Sequence, residues 1–304
     1  MPGNIAASVR GRLNNLARQQ GDVAERVFLR YAIERLLYRL SLSAHRDVFV
    51  LKGAMLFSLW APVPYRSTGD LDLLGQGDPA PDRMAAIFKT VCAVAVDDDG
   101  LVFDPGSVRA EATREDEDYN GARITLRATL GGARLALQVD IGFGDAVTPE
   151  ATNIAYPSVL DFPAASLRAY PPETVVAEKL EAAVSLGMVN SRMKDFFDLW
   201  VIAKSFPFEG VVLANAVAAT FERRGTALPP DLPVALTTAF SGDALKQGQW
   251  RAFLQRTTLA IAPEPLPELI AFIATFAKPL LVEQAASVGL FWPAGGPWNS
   301  TSAK

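Results

Sequence analysis

The sequence predicts an α+β fold, with helices at the N-terminus, a β-rich part in the middle and a mainly helical second part. Apolar residues recur at helical spacing over 4–20, 22–43 and 79–95, and again from Pro171 onward. The stretch 107–143 instead shows the alternation of apolar and polar residues that is typical of strands. Hydrophobic residues make up 50% of the 304 residues, which is enough for a large packed core.

The content of cysteine and histidine excludes several classes of protein. The chain has one cysteine, Cys92, and one histidine, His45. Disulfide scaffolds, structural zinc sites and Cys/His protease pairs need more of these residues within one chain. A Ser-His-Asp hydrolase would have to use His45, which lies in a polar link between a helix and a strand. A bound metal is therefore expected to be hard and oxygen-ligated, as Mg²⁺ or Mn²⁺ is.

Charge and hydropathy set expectations for partners and location. Neither a signal peptide nor a membrane span is visible, because no apolar run reaches about 18 residues. We therefore expect a cytoplasmic protein that binds no membrane. The net charge of −4 gives no overall basic signature, so a nucleic acid would have to bind a local patch. The arginine-rich region 10–46 indicates either a solvated helix face or an RNA-facing patch.

Residues 49–75 carry the strongest chemical signal. Val48 to Leu51 has the pattern of a short buried strand, and it runs directly into Lys52 and Gly53. An apolar helix of about two turns should follow and end near Trp60. A glycine between a strand and a helix start leaves backbone N–H groups available to bind phosphate oxygens. This arrangement indicates chemistry on a nucleotide.

Two carboxylates follow in the same stretch. Asp70 and Asp72 stand at positions i and i+2 of an apolar run, a spacing that directs both to one face of a strand. Their mutual repulsion favours a cation between them. The strand over 133–143 keeps its apolar residues on one face and Asp140 on the other. If this strand pairs with the first, three carboxylates converge on a patch suited to two Mg²⁺ ions and in-line phosphoryl displacement. Otherwise Asp140 is a solvated residue on an exposed face.

Two helices of the second part carry charges where a core is predicted. Lys179 falls within an apolar helical stripe, where it needs an anionic partner or a task, unless it snorkels to water. Asp195 also projects onto an apolar side, although it could simply complement the helix dipole. Asp198, one turn further on, is a secondary candidate. Arg192, Lys194 and Lys179 would supply cations for a triphosphate or an RNA backbone.

Taken together, these residues give the chain a resemblance to the AbiEii/AbiGii toxin family of nucleotidyltransferases, which includes the MenT-type toxins of mycobacteria. The resemblance covers about residues 25–205 and rests on five motifs in the family's order, which is far more specific than one pair of aspartates. The motifs are Leu51-Lys52-Gly53, Arg66-Ser67-Thr68-Gly69-Asp70-Leu71-Asp72, Val139-Asp140-Ile141-Gly142-Phe143-Gly144-Asp145, Ala177-Glu178-Lys179-Leu180 and Arg192-Met193-Lys194-Asp195-Phe196-Phe197-Asp198-Leu199.

The resemblance implies a polymerase-β-like mixed sheet with flanking helices, followed by a helical C-terminal domain. It implies Mg²⁺-dependent transfer of a nucleoside monophosphate from an NTP to RNA, at the tRNA 3′ end in characterised MenT-type relatives, which blocks translation. The protein would be the toxin of a toxin–antitoxin or phage-defence pair, with an antitoxin encoded by the neighbouring gene. The alternatives are a transferase that modifies a small molecule or a protein, and a catalytically inactive partner-binding protein. The oligomeric state stays open.

The motifs also imply residue roles. Asp70 and Asp72 would hold the metal, with Asp140 as a third ligand or as the base that activates the acceptor hydroxyl. Lys179 would grip the triphosphate, and Asp195 would be the acidic residue of the second domain that activity requires. Nucleotide-binding roles are expected for Lys52, Gly53, Arg66, Thr68, Arg192 and Lys194. Thr68 also falls where the family carries a Ser/Thr hydroxyl near the aspartates, and in some relatives that hydroxyl is a phosphorylation target for inhibition.

The expected organisation has three regions: N-terminal helices over 1–46, a nucleotidyltransferase core over 47–150, and a mainly helical domain over 151–304 with a flexible tail. The stretch 145–170 is rich in Pro, Ala and Ser, as a crossing between domains often is. Three aromatic residues near the C-terminus would allow the tail to dock instead; they are Phe291, Trp292 and Trp298.

Overall fold

The structure, a computed structural model, describes residues 4–61, 66, 68–116, 119–283 and 288–300. The chain forms two compact units. The first comprises Met1–Gly144 and Thr152–Ala169, and the second comprises Asp145–Ala151 and Tyr170–Lys304. The N-terminal helices and the stretch 152–169 therefore share one unit with the residues that were expected to form the core.

Helices and strands have the following bounds. The helices are α1 (Ile5–Gln20), α2 (Ala24–Leu42), α3 (Phe57–Trp60), α4 (Pro81–Cys92), α5 (Pro172–Leu186), α6 (Met193–Ser205), α7 (Gly210–Arg223), α8 (Thr238–Ser241), α9 (Ala244–Arg256) and α10 (Leu266–Leu281). The strands are β1 (Phe49–Lys52), β2 (Asp70–Gly75), β3 (Leu101–Asp116), β4 (Tyr119–Leu130), β5 (Ala133–Phe143), β6 (Thr152–Tyr156), β7 (Ala165–Ala169), β8 (Phe208–Glu209), β9 (Leu290–Trp292) and β10 (Asn299–Ser300).

The first unit is built on a mixed sheet of strand order β3-β4-β5-β2-β1-β7-β6. Strand β2 runs parallel to β5, and β1 runs parallel to β7, while the other neighbours are antiparallel. The hairpin between β4 and β5 turns at Gly131 and Gly132, whose positive φ angles of 51° and 85° explain the need for two glycines there. The predicted α+β fold with a mixed sheet, flanking helices and a helical C-terminal part is confirmed.

One face of this sheet is apolar because its strands alternate. In β5, Leu135, Leu137, Val139 and Ile141 are all buried, and helix α2 packs against β5 and β7. The polar residues between them must then point to the opposite face. The alternation therefore decides which side chains are available for chemistry.

Two arginines of helix α2 lie neither on a solvated helix face nor on an RNA-facing patch, the two alternatives for the arginine-rich region. Arg35 and Arg39 are buried, and both pair with Asp99, at 3.3 Å from Arg35 Nε and 2.7 Å from Arg39 Nη1 to Asp99 Oδ2. Glu34 completes the cluster at 3.1 Å from Arg35 Nη1. Buried charges need such partners. These two arginines serve the fold, so they are not part of an exposed basic patch.

Residues 145–170 do more than cross between domains. Strands β6 and β7 form an antiparallel pair that completes the sheet, with β7 parallel to β1. Short apolar stretches between prolines give little periodicity, so the sequence does not mark these two strands clearly.

The second unit is mainly helical, and its C-terminal segment is docked where it is described. Trp292 is buried and its Nε1 donates to Ala203 O at 2.7 Å, while Trp298 Nε1 donates to Phe276 O at 2.9 Å. Strand β9 pairs with β8. In the described part of the chain, no helix combines the length and the apolar character needed to cross a membrane.

Candidate active site

A row of charged residues crosses four adjacent strands of the sheet. Lys52 lies opposite Asp72, Asp72 lies opposite Asp140, and Asp140 lies opposite Arg123. Residues directly opposite each other point to the same face of a sheet, and Asp70 shares that face because it precedes Asp72 by two positions. We call Lys52, Asp72, Asp140 and Arg123 the charged row.

The apolar residues of β2 explain why the carboxylates face outward. Leu71 and Leu73 are each 1% exposed, so they lie on the core side of the strand. Asp70 is exposed and Asp72 is half-buried. The strand pairing on which the expected convergence depended is thus present.

Gly53 makes room for the carboxylate of Asp72. Its φ is +76°, a conformation that side chains rarely adopt, and a Cβ at this position would overlap Asp72 Oδ2. Gly53 opens a 3₁₀ turn over Gly53–Leu56 that continues into α3 and ends at Trp60, as expected. The role of its N–H in binding phosphate stays a prediction. What the structure adds is a steric reason for glycine.

Asp140 is held by two neighbours. Arg123 donates from Nε to Oδ1 at 2.7 Å and from Nη2 to Oδ2 at 3.2 Å, and Gln138 Nε2 donates to Oδ2 at 2.9 Å. The hydrogen bond to Asp140, helped by its charge, raises the pKa of Arg123. Both carboxylate oxygens are therefore engaged. The sequence revealed Asp140 but neither partner, because cross-strand neighbours depend on register.

The carboxylates available to a divalent cation are those on the polar face of the sheet. Among the described residues, no group of three His, Cys, Asp or Glu side chains is arranged to hold a metal ion. Mg²⁺ usually binds proteins through one or two carboxylates, with substrate phosphates and water completing its shell. Asp70 and Asp72, adjacent on one face, fit that pattern. The role of Asp140 as a third ligand stays a prediction, in which the cation would share its carboxylate with Arg123 and Gln138.

Two further predicted residues lie near this strand. Thr68 Oγ1 donates to Asp70 O at 3.4 Å, which puts the hydroxyl close to the start of β2. Arg66 is 9% exposed, and its guanidinium lies 5.7 Å from the centre of the Phe57 ring. Their nucleotide-binding roles stay predictions.

A cavity of about 660 Å³ opens on the polar face of the sheet beside Asp70. This volume is within the usual range for small-molecule sites. Its lining includes side chains able to donate hydrogen bonds, namely Ser107, Arg109, Thr125, Arg127 and Gln138. The face that carries the carboxylates therefore also has space for a ligand.

In the second unit, Lys179 has the anionic partners that its place in an apolar stripe requires. Its Nζ lies 2.7 Å from Asp195 Oδ1 and 2.9 Å from Asp198 Oδ2. The side chains of Lys179, Asp195 and Asp198 are 16%, 12% and 1% exposed. Asp195 is therefore more than a dipole charge at a helix start. We call these three residues the Lys179 cluster.

The second unit contains a second charged cluster, around Arg224, that the sequence analysis did not predict. Arg224 lies 2.8 Å from Glu181 Oε2, 3.0 Å from Asp145 Oδ1 and 3.7 Å from Glu178 Oε1. Burial opposes the charge of Arg224, but the carboxylates of Glu178, Asp145 and Glu181 raise its pKa. Two glutamates on one face of α5 were a usable signal that a cation is needed. Which arginine pairs with these glutamates could not be predicted, because the sequence contains many arginines.

Arg192 and Lys194 are exposed at the start of α6. The backbone N–H of Arg192 donates to Asn190 Oδ1 at 2.8 Å, which fixes the chain before the helix. The side chains of Arg192 and Lys194 belong to the second unit, as the Lys179 cluster does. Their nucleotide-binding roles stay predictions.

Comparisons with known proteins identify relatives of this chain. The family model described as nucleotidyl transferase AbiEii toxin, type IV TA system, matches residues 35–273. The crystal structure of JHP933 from Helicobacter pylori is similar at a TM-score of 0.51 and 18% identity, over 84% of this chain and 93% of that chain. A second H. pylori crystal structure, of a protein described as a proposed nucleotidyltransferase, gives a TM-score of 0.49 and 17% identity, over 84% of this chain and 96% of that one. No curated protein matches the sequence.

The family match spans well over half of the chain and contains all five motifs on which the resemblance rests. The likeness to JHP933 agrees with it at the level of the fold. The chain therefore belongs to the AbiEii nucleotidyltransferase toxin family of type IV toxin–antitoxin systems.

Proposed function

We propose that the protein transfers a nucleoside monophosphate from an NTP to the 3′ end of tRNA, in a reaction that depends on Mg²⁺ or Mn²⁺. Blocking the 3′ end would stop translation, and an antitoxin encoded by the neighbouring gene would restrain the activity. The observation that carries the proposal is the pair Asp70 and Asp72 on the polar face of the sheet, with Asp140 directly opposite Asp72.

Asp70 and Asp72 would bind the cation, which supplies charge neutralisation for the phosphates and the departing pyrophosphate. The chain's own contribution is orientation. Gly53 leaves space for the Asp72 carboxylate, and Lys52 lies opposite it on β1. Preorganised groups lower the barrier because they need not rearrange as charge develops.

Asp140 is proposed to act either as a third metal ligand or as the base that activates the acceptor hydroxyl. As a third ligand it would coordinate the cation through a lone pair that the bonds from Arg123 and Gln138 do not occupy. As a base it accepts the proton of the acceptor hydroxyl at a carboxylate oxygen, while Arg123 fixes the orientation of the carboxyl group. In both cases Arg123 is the positioning residue for Asp140.

Roles for the second unit are carried over from the family. Lys179 is proposed to bind phosphate oxygens, with Asp195 and Asp198 holding its ammonium in place. Because Asp198 is almost fully buried and Asp195 is not, Asp195 is the partner more readily exchanged for phosphate. Arg192 and Lys194 are proposed to bind phosphate groups of the triphosphate or of the RNA backbone.

Thr68 is proposed as an inhibitory modification site. Its hydroxyl lies within hydrogen-bond distance of the backbone carbonyl of Asp70. A phosphoryl group there would add about two negative charges next to the metal-binding carboxylates. It would repel an incoming triphosphate and compete for the cation.

The test is transfer of label from each α-³²P NTP, with Mg²⁺, to total bacterial tRNA, total protein or an aminoglycoside in separate reactions. Label in the tRNA fraction alone, lost with Asp70→Ala, is the expected result. Label in protein or aminoglycoside would replace the tRNA assignment. Label that persists in Asp70→Ala at the wild-type rate would refute the assignment of the site. Complete silence with all four nucleotides would favour a non-catalytic, partner-binding protein.

A further inference from the structure

We propose that a cationic cavity lined by α6 and α9 of the second unit binds the phosphodiester backbone of single-stranded RNA. The cavity has a volume of about 470 Å³. It is lined by Ser191, Arg192, Met193, Lys194, Gln249, Ala252, Phe253, Arg256 and Thr257. The choice of RNA rests on the proposed function, in which an RNA end is the acceptor.

The charge of this cavity has one sign. Arg192, Lys194 and Arg256 line it, and no carboxylate does. Over the described ranges, which omit 62–65, 67, 117–118 and 284–287, none of these three side chains makes an ion pair or a hydrogen bond. Three cations gathered around one concavity repel each other, in a chain whose net charge is −4. An anion in the cavity relieves that repulsion.

Other cations of this unit show what a structural role looks like. Arg224 pairs with Asp145 and Glu181. Lys246, on the same helix as Arg256, is 3% exposed and its Nζ donates to Asn190 O at 2.9 Å. Cations that serve the fold are thus paired and at least partly buried, whereas the cations of the cavity are exposed. The contrast favours binding over packing.

The remaining lining favours a nucleic acid over a simple anion. Phe253 is half-buried, and its ring stacks on Trp250 with centroids 5.3 Å apart and contacts Phe197 at 5.8 Å. The ring is therefore packed against two aromatic neighbours where it borders the cavity. Aromatic surface next to cations is the combination that binds single strands, since bases stack while phosphates pair. The hydroxyls of Ser191 and Thr257 add hydrogen-bond donors for phosphate or ribose oxygens.

The experiment measures binding of a fluorescein-labelled single-stranded oligoribonucleotide of about 12 nucleotides, by anisotropy, to the full chain at several salt concentrations. The variants are Arg256→Ala and Lys194→Ala. Arg251→Ala is the matched control, because Arg251 is exposed on the same helix, carries the same charge and does not line the cavity. ATP is titrated in parallel to separate a triphosphate site from an RNA site.

The expected result is a rise in Kd for RNA of about 3–10-fold in each cavity variant, with a salt-dependence slope smaller by about 0.7. Arg251→Ala should stay within about 2-fold of wild type. Equal losses in all three variants would overturn the proposal, because they would show a diffuse charge effect. Loss of ATP affinity with RNA affinity unchanged would also overturn it.

The outcome is separable from that of the proposed function. If wild type binds RNA through this cavity but transfers no label from any NTP, the proposed function fails and the RNA site stands. If label is transferred to tRNA while Arg256→Ala and Lys194→Ala bind RNA like wild type, the RNA site fails and the proposed function stands.

Discussion

Replacing Gly53 by alanine tests how Asp72 is held in the charged row. The new Cβ would overlap Asp72 Oδ2, and the backbone at this position has φ of +76°. The carboxylate must then move, or the turn that follows β1 must change its path. Either change disturbs the pair of carboxylates proposed to bind the cation.

The cost can be estimated from these two effects. A left-handed backbone conformation costs a residue with a Cβ about 1–2 kcal/mol. Forcing an extra carbon into a filled site costs about 1–3 kcal/mol more. The reduced freedom of the unfolded chain returns about 0.4–1 kcal/mol. We expect a net destabilisation of about 1–4.6 kcal/mol. Because a misplacement of about 1 Å can cost about 100-fold in rate, nucleotide transfer should fall by about that factor.

Gly132→Ala is the matched control. Gly132 has a φ of +85°, but a Cβ there would meet nothing within 4 Å. This variant carries the backbone cost alone, so we expect it to lose about 1 kcal/mol and to transfer label at close to the wild-type rate. Urea unfolding and transfer from α-³²P NTP to tRNA are measured on both variants. Equal stability and equal rates for Gly53→Ala and Gly132→Ala would refute the steric reasoning.

Three further predictions follow from the contacts. Lys179→Met should destabilise the protein by about 2–4 kcal/mol, since the carboxylate of Asp198 is 1% exposed and loses its ammonium partner. In a double-mutant cycle, the variant that also carries Asp198→Asn should be destabilised by about 1–3 kcal/mol less than the sum of the two single variants. Arg123→Gln should change stability by less than about 1 kcal/mol, because its ion pair with Asp140 is partly exposed, yet slow transfer about 10-fold; an unchanged rate would mean that the orientation of Asp140 is irrelevant. Burial raises the pKa of Cys92 to about 11. At pH 8 its reaction with a disulfide reagent should therefore be at least about 100-fold slower than in the urea-unfolded chain, where about a quarter of the thiol is ionised. Similar rates in the folded and unfolded chains would contradict this.

Much of the fold could be predicted because its strands and helices have strong local patterns. The alternation in β5 predicted both its bounds and the side on which Asp140 lies, and the two glycines of the hairpin predicted the turn. The pattern of β2 likewise predicted that Asp70 and Asp72 share a face. Local periodicity decides such features before any long-range contact is known.

What could not be predicted depends on register and on distant pairing. Nothing near Arg123 in the sequence shows that it lies opposite Asp140, because a shift of the strand register by one residue would turn the side chain of Arg123 to the other face of the sheet. The parallel pairing of β7 with β1 joins segments more than a hundred residues apart, and no local signal marks it. Arg224 is similarly one of many arginines until α7 places it beside the carboxylates of α5.

The burial of Arg35 and Arg39 shows a different limit. Their helical spacing resembles that of a solvated face, and only Asp99, which lies sixty residues further on, turns them inward. A charge pattern predicts exposure only when no partner is supplied from elsewhere in the fold.

The most direct test of the central claim, that the carboxylates of β2 carry nucleotide transfer, compares Asp72→Asn with Asp104→Asn. Asp104 is an exposed carboxylate on β3 that lines the cavity beside Asp70, so the two variants remove the same charge from the same face of the sheet. Transfer of label to tRNA is measured at saturating Mg²⁺. We predict a loss of at least about 100-fold for Asp72→Asn and a rate within about 2-fold of wild type for Asp104→Asn. Equal rates in the two variants would contradict the assignment of the active site to β2.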